Sequence, residues 1–597
     1  MHRCQSCFKT LLKGVWLCLV WLPYLWSPVN LRAQSVFPLP GWFKENIARP
    51  PIQEGKGGDS DYFSSLSQRD KVGLTEADTV RMVLESNLDV VVERFDPRLS
   101  LYAVEMAHRV FDPTLSMRFG MQRDSRPLST TFLTGTDTQT SLQHTANVGV
   151  SKLFETGTLV GVDYVSSRVS DNNLRNFLNP FLKASLTASI TQPLLKNFGT
   201  LPNTRQIRIA RNNKDISKYA FEQQVILLVN QAQNLYWDLV FASEDVKVRQ
   251  KSLDLAIKTN EDNKRMAEIG TLAPIEVVQS EAEIANRKEL LIRAQYSLVQ
   301  MQDQMKKLIS SLRDPGRIAV KIEPLDQLAS IKDFRNFDLV QAVSYAIEQR
   351  PEVKQQRKMI DNSEIEVKYF RNQLLPDVRL NVFYGAAALE GVGRAFNINP
   401  QMGFPISGGP SMIVGTSGIG DIFNRLFRAN FPTYGSSLTV EIPLKNRAGR
   451  ADYARASVAR RQSEKRLRAL EQQIALEVRN VHTQLEMNRA RIEATQKARE
   501  LAEQNLEAEQ KKFQLGTSQI RFVLEEQVKL TQAETNEVNA LVSFTKAKRN
   551  LDKAMGKTLE LHNISVDDVI AGDLPQDQLM GATRPIVGDN KLNWSNR

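Results

Sequence analysis

The sequence predicts a mainly α-helical chain that also carries membrane-type β-strands, built from one unit used twice. Three observations predict it. Residues 203–269 are 67 consecutive residues without glycine or proline, closed by Gly270-Thr271-Leu272-Ala273-Pro274 and followed by 40 more such residues, 275–314. The layout returns near the C-terminus, where 66 breaker-free residues (450–515) precede Gly516-Thr517 and 39 (517–555) follow the glycine. Short segments of alternating polarity lie between the helical runs. At about 1.5 Å per residue, a helix of this length reaches roughly 100 Å, far beyond a compact domain, so it must pack sideways in a bundle or coiled coil.

From the N-terminus, Arg3, Lys9 and Lys13 precede an apolar core from Val15 to Leu25, and Leu31-Arg32-Ala33 offers a small-residue cleavage site. Residues 1–33 read as a secretory signal, interrupted too early by Pro23 and Pro28 to span a membrane. Cys4, Cys7 and Cys18 all fall within it, so the exported chain is expected to rely on packing or oligomerisation rather than disulfides. Removing Arg3, Lys9, Lys13 and Arg32 lowers the formal charge from +11 to +7 (11 − 4). Lysine and arginine are interspersed with Glu and Gln along the helices, the pattern of a solvated face and not of a nucleic-acid patch. After the signal no apolar stretch reaches the roughly 18 residues of a membrane helix. If the chain spans a membrane, it does so with strands.

Residues 34–73, with Pro38, Pro40, Pro50, Pro51 and Gly55-Lys56-Gly57-Gly58, read as an irregular segment. A helix then starts at Thr75, which can cap with Asp78 three positions on, and Val80, Val83, Leu84 and Leu88 follow at helical spacing. The repeat shows 263 residues further along, where Val80, Leu84, Leu88-Asp89-Val90 and Pro113 are answered by Val343, Ile347, Pro351-Glu352-Val353 and Pro376. Gln192-Pro193-Leu194-Leu195-Lys196-Asn197 is answered by Glu441-Ile442-Pro443-Leu444-Lys445-Asn446, and Gly270 by Gly516. Ordered landmarks with a drifting offset indicate duplication with loop-length changes. The units are 74–315 and 337–556, joined by a linker, 316–336, and followed by a tail, 557–597.

Each unit contains two clear strand candidates. Leu115, Met117, Phe119 and Met121 alternate with Ser116, Arg118 and Gly120, and Leu186, Ala188 and Ile190 alternate with small polar residues. In the second unit Val378, Leu380, Val382 and Tyr384, then Leu438, Val440 and Ile442, repeat the pattern. About ten residues with one apolar and one polar face suit a transmembrane barrel strand, and equally a half-buried strand of a soluble sheet. Four strands cannot close a barrel, whose smallest form has about eight, and open edges in lipid would leave backbone groups unsatisfied. The membrane reading therefore requires a homo-oligomer. Two further alternating stretches, Val148 to Phe154 and Thr158 to Val165, either lengthen a hairpin above the membrane or form an added one. Residues 386–434 read as a large glycine-rich, solvent-facing strand loop.

Helix, strand pair, long helix, Gly-Thr turn and long helix, done twice behind a signal peptide, resembles the TolC-like outer-membrane efflux protein family. The resemblance runs from about Leu74 to Gly556 and is most specific at the paired turns and at the strand borders Gln192-Pro193-Leu194-Leu195 and Leu374-Leu375-Pro376-Asp377. It implies a homotrimer whose twelve strands, four per chain, form a barrel among outer-membrane lipid, continued by an α-helical tunnel about 100 Å deep into the periplasm. It implies an exit duct of an efflux or type I secretion system, docked on a periplasmic adaptor and an inner-membrane transporter, with neither nucleic acid nor cofactor involved. Gly270, Thr271, Gly516 and Thr517 match the tips where family tunnels meet adaptors. Glu525 matches an acidic position of the family's periplasmic constriction, and Glu276 keeps an acid in the first unit. Phe522 stands where a companion acid would be, and Phe513 and Ser518 replace the tyrosine and arginine with which some members latch the tip. The expectation here is closure by packing of Phe522, with Glu525, neutralised by Arg521, as a weaker charged ring.

Catalysis is disfavoured: the five histidines are scattered, no pair has metal-ligand spacing, and no thiol follows Cys18. The rival reading is a periplasmic coiled-coil adaptor or structural protein with its strands packed on a soluble core. Tyr236-Trp237, deep in a long helix, reads as bundle core.

Overall fold

The structure is a computed structural model that describes residues 71–129, 137–173, 176–310, 320–326, 338–395, 412–416 and 418–571. The expected signal 1–33, nearly all of the irregular segment 34–73 and the end of the tail lie outside the described residues. Four long helices dominate: α4 (Arg205–Glu268), α5 (Pro274–Ile309), α9 (Arg447–Gln514) and α10 (Ile520–Met555). Their bounds follow the breaker-free runs closely because nothing inside those runs interrupts the backbone ladder. The 68 residues of α9 extend about 100 Å. Helix α4 packs on its hairpin partner α5 and also on α10, and α9 packs on α10. Among the described residues no helix is long and apolar enough to cross a membrane.

Shorter helices brace the upper half. In the first unit these are α1 (Glu76–Ser86), α2 (Leu88–Glu93) and α3 (Phe95–His108), and in the second α6 (Leu339–Gln349) and α7 (Pro351–Gln373). The capping box at Thr75 and Asp78 forms as expected. The duplication is visible in the backbone as well as in the sequence. Asn87 and Arg350, 263 residues apart, both leave the helical region (ψ 125° and 132°) and separate two helices at equivalent places. Asn87 restarts its helix by accepting from the Asp89 and Val90 amides, whereas Arg350 is followed by Pro351 at the first helical position.

Two strands absent from the sequence reading, β1 (Lys71–Leu74) and β6 (Lys321–Pro324), pair in parallel beside this region. Residues read as the end of an irregular segment and as linker thus contribute to the fold. Leu74 and Ile322 join Val80, Met82, Leu84, Phe221, Val229 and Tyr236 in the largest buried cluster, which also receives Leu559 of α11 (Thr558–Leu561) and Val569 of α12 (Val566–Ala571). Tyr236 is core, as expected: its hydroxyl donates to the Leu74 carbonyl at 3.1 Å, and its ring meets Trp237 edge-on at 5.6 Å. Ion pairs from α10 tie the two units together, Arg549 to Glu76 at 2.6 Å and Lys546 to Asp238 at 2.7 Å.

The second body of structure is one antiparallel sheet. Its strands are β2 (Thr114–Pro127), β3 (Thr138–Leu153), β4 (Leu159–Asp171), β5 (Leu178–Pro193), β7 (Asp377–Ala395), β8 (Met412–Thr416) and β9 (Pro432–Glu441). They run in the order β2-β3-β4-β5-β7, with β9 along the lower part of β7 and the short β8 along its upper end. Among the described residues the expected four strands per chain are corrected to six full strands, because both ambiguous stretches belong to a complete hairpin, β3–β4, inserted between β2 and β5. Residues 386–434 are likewise more than a loop. They hold the upper part of β7, then β8, then the helix α8 (Ile419–Phe427), whose Ile422 and Leu426 pack on Ala184, Ala386 and Ala388 of the sheet.

The register makes the two faces continuous across all six strands. Directly opposed residues share a face. One row reads Leu115, Val150, Val162, Ala188, Tyr384, Tyr434, and the next Met117, Val148, Tyr164, Leu186, Ala386, Pro432. On the other face the corresponding row is Ser116, Gly149, Asp163, Thr187, Gly385, Thr433. Much of the apolar face is uncovered: Leu115, Met117, Phe119, Met121, Tyr384, Tyr434 and Leu438 are all exposed.

Candidate functional site: the helical-hairpin tips

The two Gly-Thr turns are built identically. At the end of α4, Gly270 takes φ +83°, its amide donates to the Ala267 carbonyl at 3.0 Å, and the Thr271 amide donates to the Met266 carbonyl at 2.9 Å. At the end of α9, Gly516 takes φ +74° and donates to Phe513 at 3.0 Å, while Thr517 donates to Lys512 at 3.0 Å. This is the left-handed helix stop that favours glycine, with both amides returned to orphan carbonyls of the last turn. The threonine is explained too. Its hydroxyl donates to the carbonyl its own amide already uses, Met266 at 2.9 Å for Thr271 and Lys512 at 3.0 Å for Thr517.

Around these turns the tips display apolar side chains. Ile269 and Leu515, each just before its glycine, are 78% and 79% exposed, and Ile275, Val278 and Phe522 are also exposed. Beneath the second turn, Leu506, Ile520 and Val523 form a small core that Phe513, Leu524, Leu530 and Leu255 of α4 complete. Phe513 is therefore half-buried against its own hairpin. Ser518 hydrogen-bonds Glu509, which also pairs with Lys512 at 3.0 Å. A shallow depression of about 670 Å³ lies beside this turn, lined by Glu509, Lys512, Ser518, Gln519 and Phe522.

The expected partner of Glu525 is corrected. Lys529 donates to its carboxylate at 2.8 Å and to Glu526 at 2.9 Å, whereas Arg521 lies over the Phe522 ring, 5.0 Å from its centroid. Arg521 and Lys529 are both four residues from Glu525, but an acid N-terminal to its base is the better-aligned helical pair. The bond from Lys529 holds the Glu525 carboxyl below the usual carboxylate range. Glu276 sits half-buried in the first turn of α5.

Sequence reasoning missed the polar seam that joins the tips. Gln527 donates to Thr259 at 3.0 Å, Thr531 to Ser252 at 2.9 Å, Arg287 to the Ser252 carbonyl at 2.9 Å, and Ser280 to Asn260 at 2.7 Å. Asn263 is buried in the same stretch of α4. The signal was present as polar residues at core spacing, but a sequence does not say which polar residues of a long helix face a neighbour. Among the described residues no three His, Cys, Asp or Glu side chains gather to hold a metal ion.

Compared with known proteins, the outer membrane efflux protein family matches residues 342–557. The second unit of this chain belongs to that family. Solved structures of efflux-protein architecture align with nearly the whole chain. The CmeC outer membrane channel of Campylobacter jejuni shares 13% identity over 89% of this chain and 94% of its own, with a TM-score of 0.53. The open-state MtrE outer membrane channel of Neisseria gonorrhoeae shares 14% over 81% and 89%, with a TM-score of 0.53. The outer membrane protein VceC of Vibrio cholerae shares 15% over 80% and 95%, with a TM-score of 0.52. At these identities the likeness is one of fold, and it covers the first unit as well as the second. No curated protein matches the sequence.

Proposed function

We propose that this chain forms the outer-membrane exit duct of a tripartite efflux or type I secretion system, as a homotrimer with its helical tunnel in the periplasm. The observation that carries the reading is the sheet: one face with two rows apolar across all six strands, an opposite polar face and, among the described residues, unpaired edges at β2 and β9, joined to helical hairpins about 100 Å long. On that face α8 covers Ala184, Ala386 and Ala388, but Met117, Phe119 and Met121 stand uncovered, which suits lipid, and the unpaired edges suit closure with further copies. The tips at Gly270, Thr271, Gly516 and Thr517 then dock a periplasmic adaptor through Ile269 and Leu515, and an inner-membrane transporter feeds the duct.

At the tip we assign the constriction to Phe522 and Glu525, with Arg521 supporting the Phe522 ring and Glu276 as the acid of the first unit. Membrane fractionation followed by crosslinking in detergent tests the assembly; a monomer released without detergent would end the reading. Conductance of Phe522→Ala and Glu525→Ala assemblies in planar bilayers tests the constriction. Larger currents are expected from the first and altered cation selectivity from the second, and wild-type behaviour in both would remove the assignment.

A further inference from the structure

We infer that the inserted hairpin β3–β4 is a full part of the transmembrane wall, so that three chains close a barrel of 18 strands, wider than the twelve-stranded wall that four strands per chain would build. The inference rests on the proposed trimeric outer-membrane reading and adds to it the number of strands and the width of the mouth. Three observations carry it.

The first is length and alternation. Strands β3 and β4 have 16 and 13 residues, and about 10 tilted residues cross a membrane. Their Val148, Val150, Val160, Val162 and Tyr164 fall on the face that holds Met117 of β2 and Leu186 of β5, an apolar band bounded by Lys152 at the helical end and by His144 and Arg168 at the other, while Asn147, Thr145, Ser167 and Asp163 fall on the opposite face with Val165. A hairpin standing above the membrane would have no reason to continue the apolar rows of its neighbours.

The second is depth. The turn joining β3 to β4 lies at the helical end of the sheet, so the insertion traverses its height rather than crowning it. Gly157 adopts φ +88°, and a Cβ there would come within 2.7 Å of the Asn197 carbonyl oxygen. The Gly199 amide donates to the Thr156 carbonyl at 3.2 Å, and Thr158 hydrogen-bonds the Gln192 side chain. The turn is thus seated where β5 leads into α4.

The third is parity. Six strands alternate in direction, so β2 of one chain meets β9 of the next antiparallel, and among the described residues both edges are unpaired. Six strands are fewer than the roughly eight that close a barrel alone, so the occupant of each edge is a further copy of this chain. Barrel diameter grows roughly linearly with strand number, which makes the mouth about 1.5-fold wider and about 2-fold larger in cross-section than with twelve strands.

An image reconstruction of the detergent-solubilised trimer is expected to show 18 strands; a trimer with twelve and the hairpin outside the wall would overturn the inference and leave the duct reading intact. Absence of a trimer from the outer membrane would instead overturn the duct reading. Replacing residues 129–176 by a two-residue turn is expected to reduce by about 1.5-fold the radius of poly(ethylene glycol) admitted from the extracellular side, and an unchanged radius would count against the inserted wall. Should that variant not assemble, labelling in the full chain decides, since no cysteine follows Cys18. Fluorophores at Val148→Cys and Val162→Cys are expected to be quenched from lipid as at Met117→Cys, and Asn147→Cys from water. Aqueous quenching at Val148→Cys and Val162→Cys, with Met117→Cys quenched from lipid, would place the hairpin outside the wall; aqueous quenching at Met117→Cys as well would overturn the membrane reading itself.

Discussion

Gly516 and Gly270 occupy the left-handed region with open space where a Cβ would go, so their cost on substitution comes from backbone conformation alone. Gly516→Ala is expected to destabilise the second tip by about 1 kcal/mol, visible as faster amide exchange over residues 509–519 with the rest of α9 unchanged. The Gly-Thr pairs were legible in the sequence as turns because glycine followed by a hydroxyl residue has a local cause. The partner of Glu525 was not, because Arg521 and Lys529 have the same spacing from it and only helix direction separates them. A second residue-scale expectation concerns acid. Burial pushes the Glu352 carboxyl up, but the hydrogen bond and charge of Arg350 outweigh it, leaving Glu352 below its ordinary value of 4.5. Since the folded carboxyl is the stronger acid, its contribution is complete above pH 4.5 and is lost as pH falls through the depressed folded value. The unfolding midpoint of Glu352→Gln should therefore fall less steeply below pH 4.5 than that of the wild type.

At the scale of elements, the seam between α9 and α10 is carried by Ile474, Val478, Leu485 and Ile492, all buried and mostly seven residues apart, the spacing of side-by-side helices. Leu485→Ala should cost about 3 kcal/mol in chemical denaturation, against a few tenths for the exposed Leu476→Ala. The long helices were readable because they are defined by what is missing from them. The β1–β6 pair was not: two four-residue strands about 250 residues apart carry too little alternation to announce themselves, and only the Leu74 and Ile322 side chains in the shared core reveal why they pair. The inserted hairpin lies between these cases. Its alternation gave the period, but alternation does not name a pairing partner, and the choice between crown and wall needed the register.

For the whole molecule, the two faces of the sheet should answer differently to charge. Met117→Arg is expected to reduce outer-membrane assembly, with a cost of about 2–4 kcal/mol, while its neighbour Ser116→Arg on the polar face assembles normally; trimer yield after fractionation reads the difference. The sheet also shows how the two halves of the chain differ. Both units keep the same tip, the same helix break and the same strand borders, yet between its two shared strands the first carries β3–β4 and the second carries β8 and α8. Each addition belongs to one unit alone, so the two halves of the sheet differ where the hairpin tips do not. The two halves of one duplicated unit thus differ in the sheet while remaining twins at the hairpin tips.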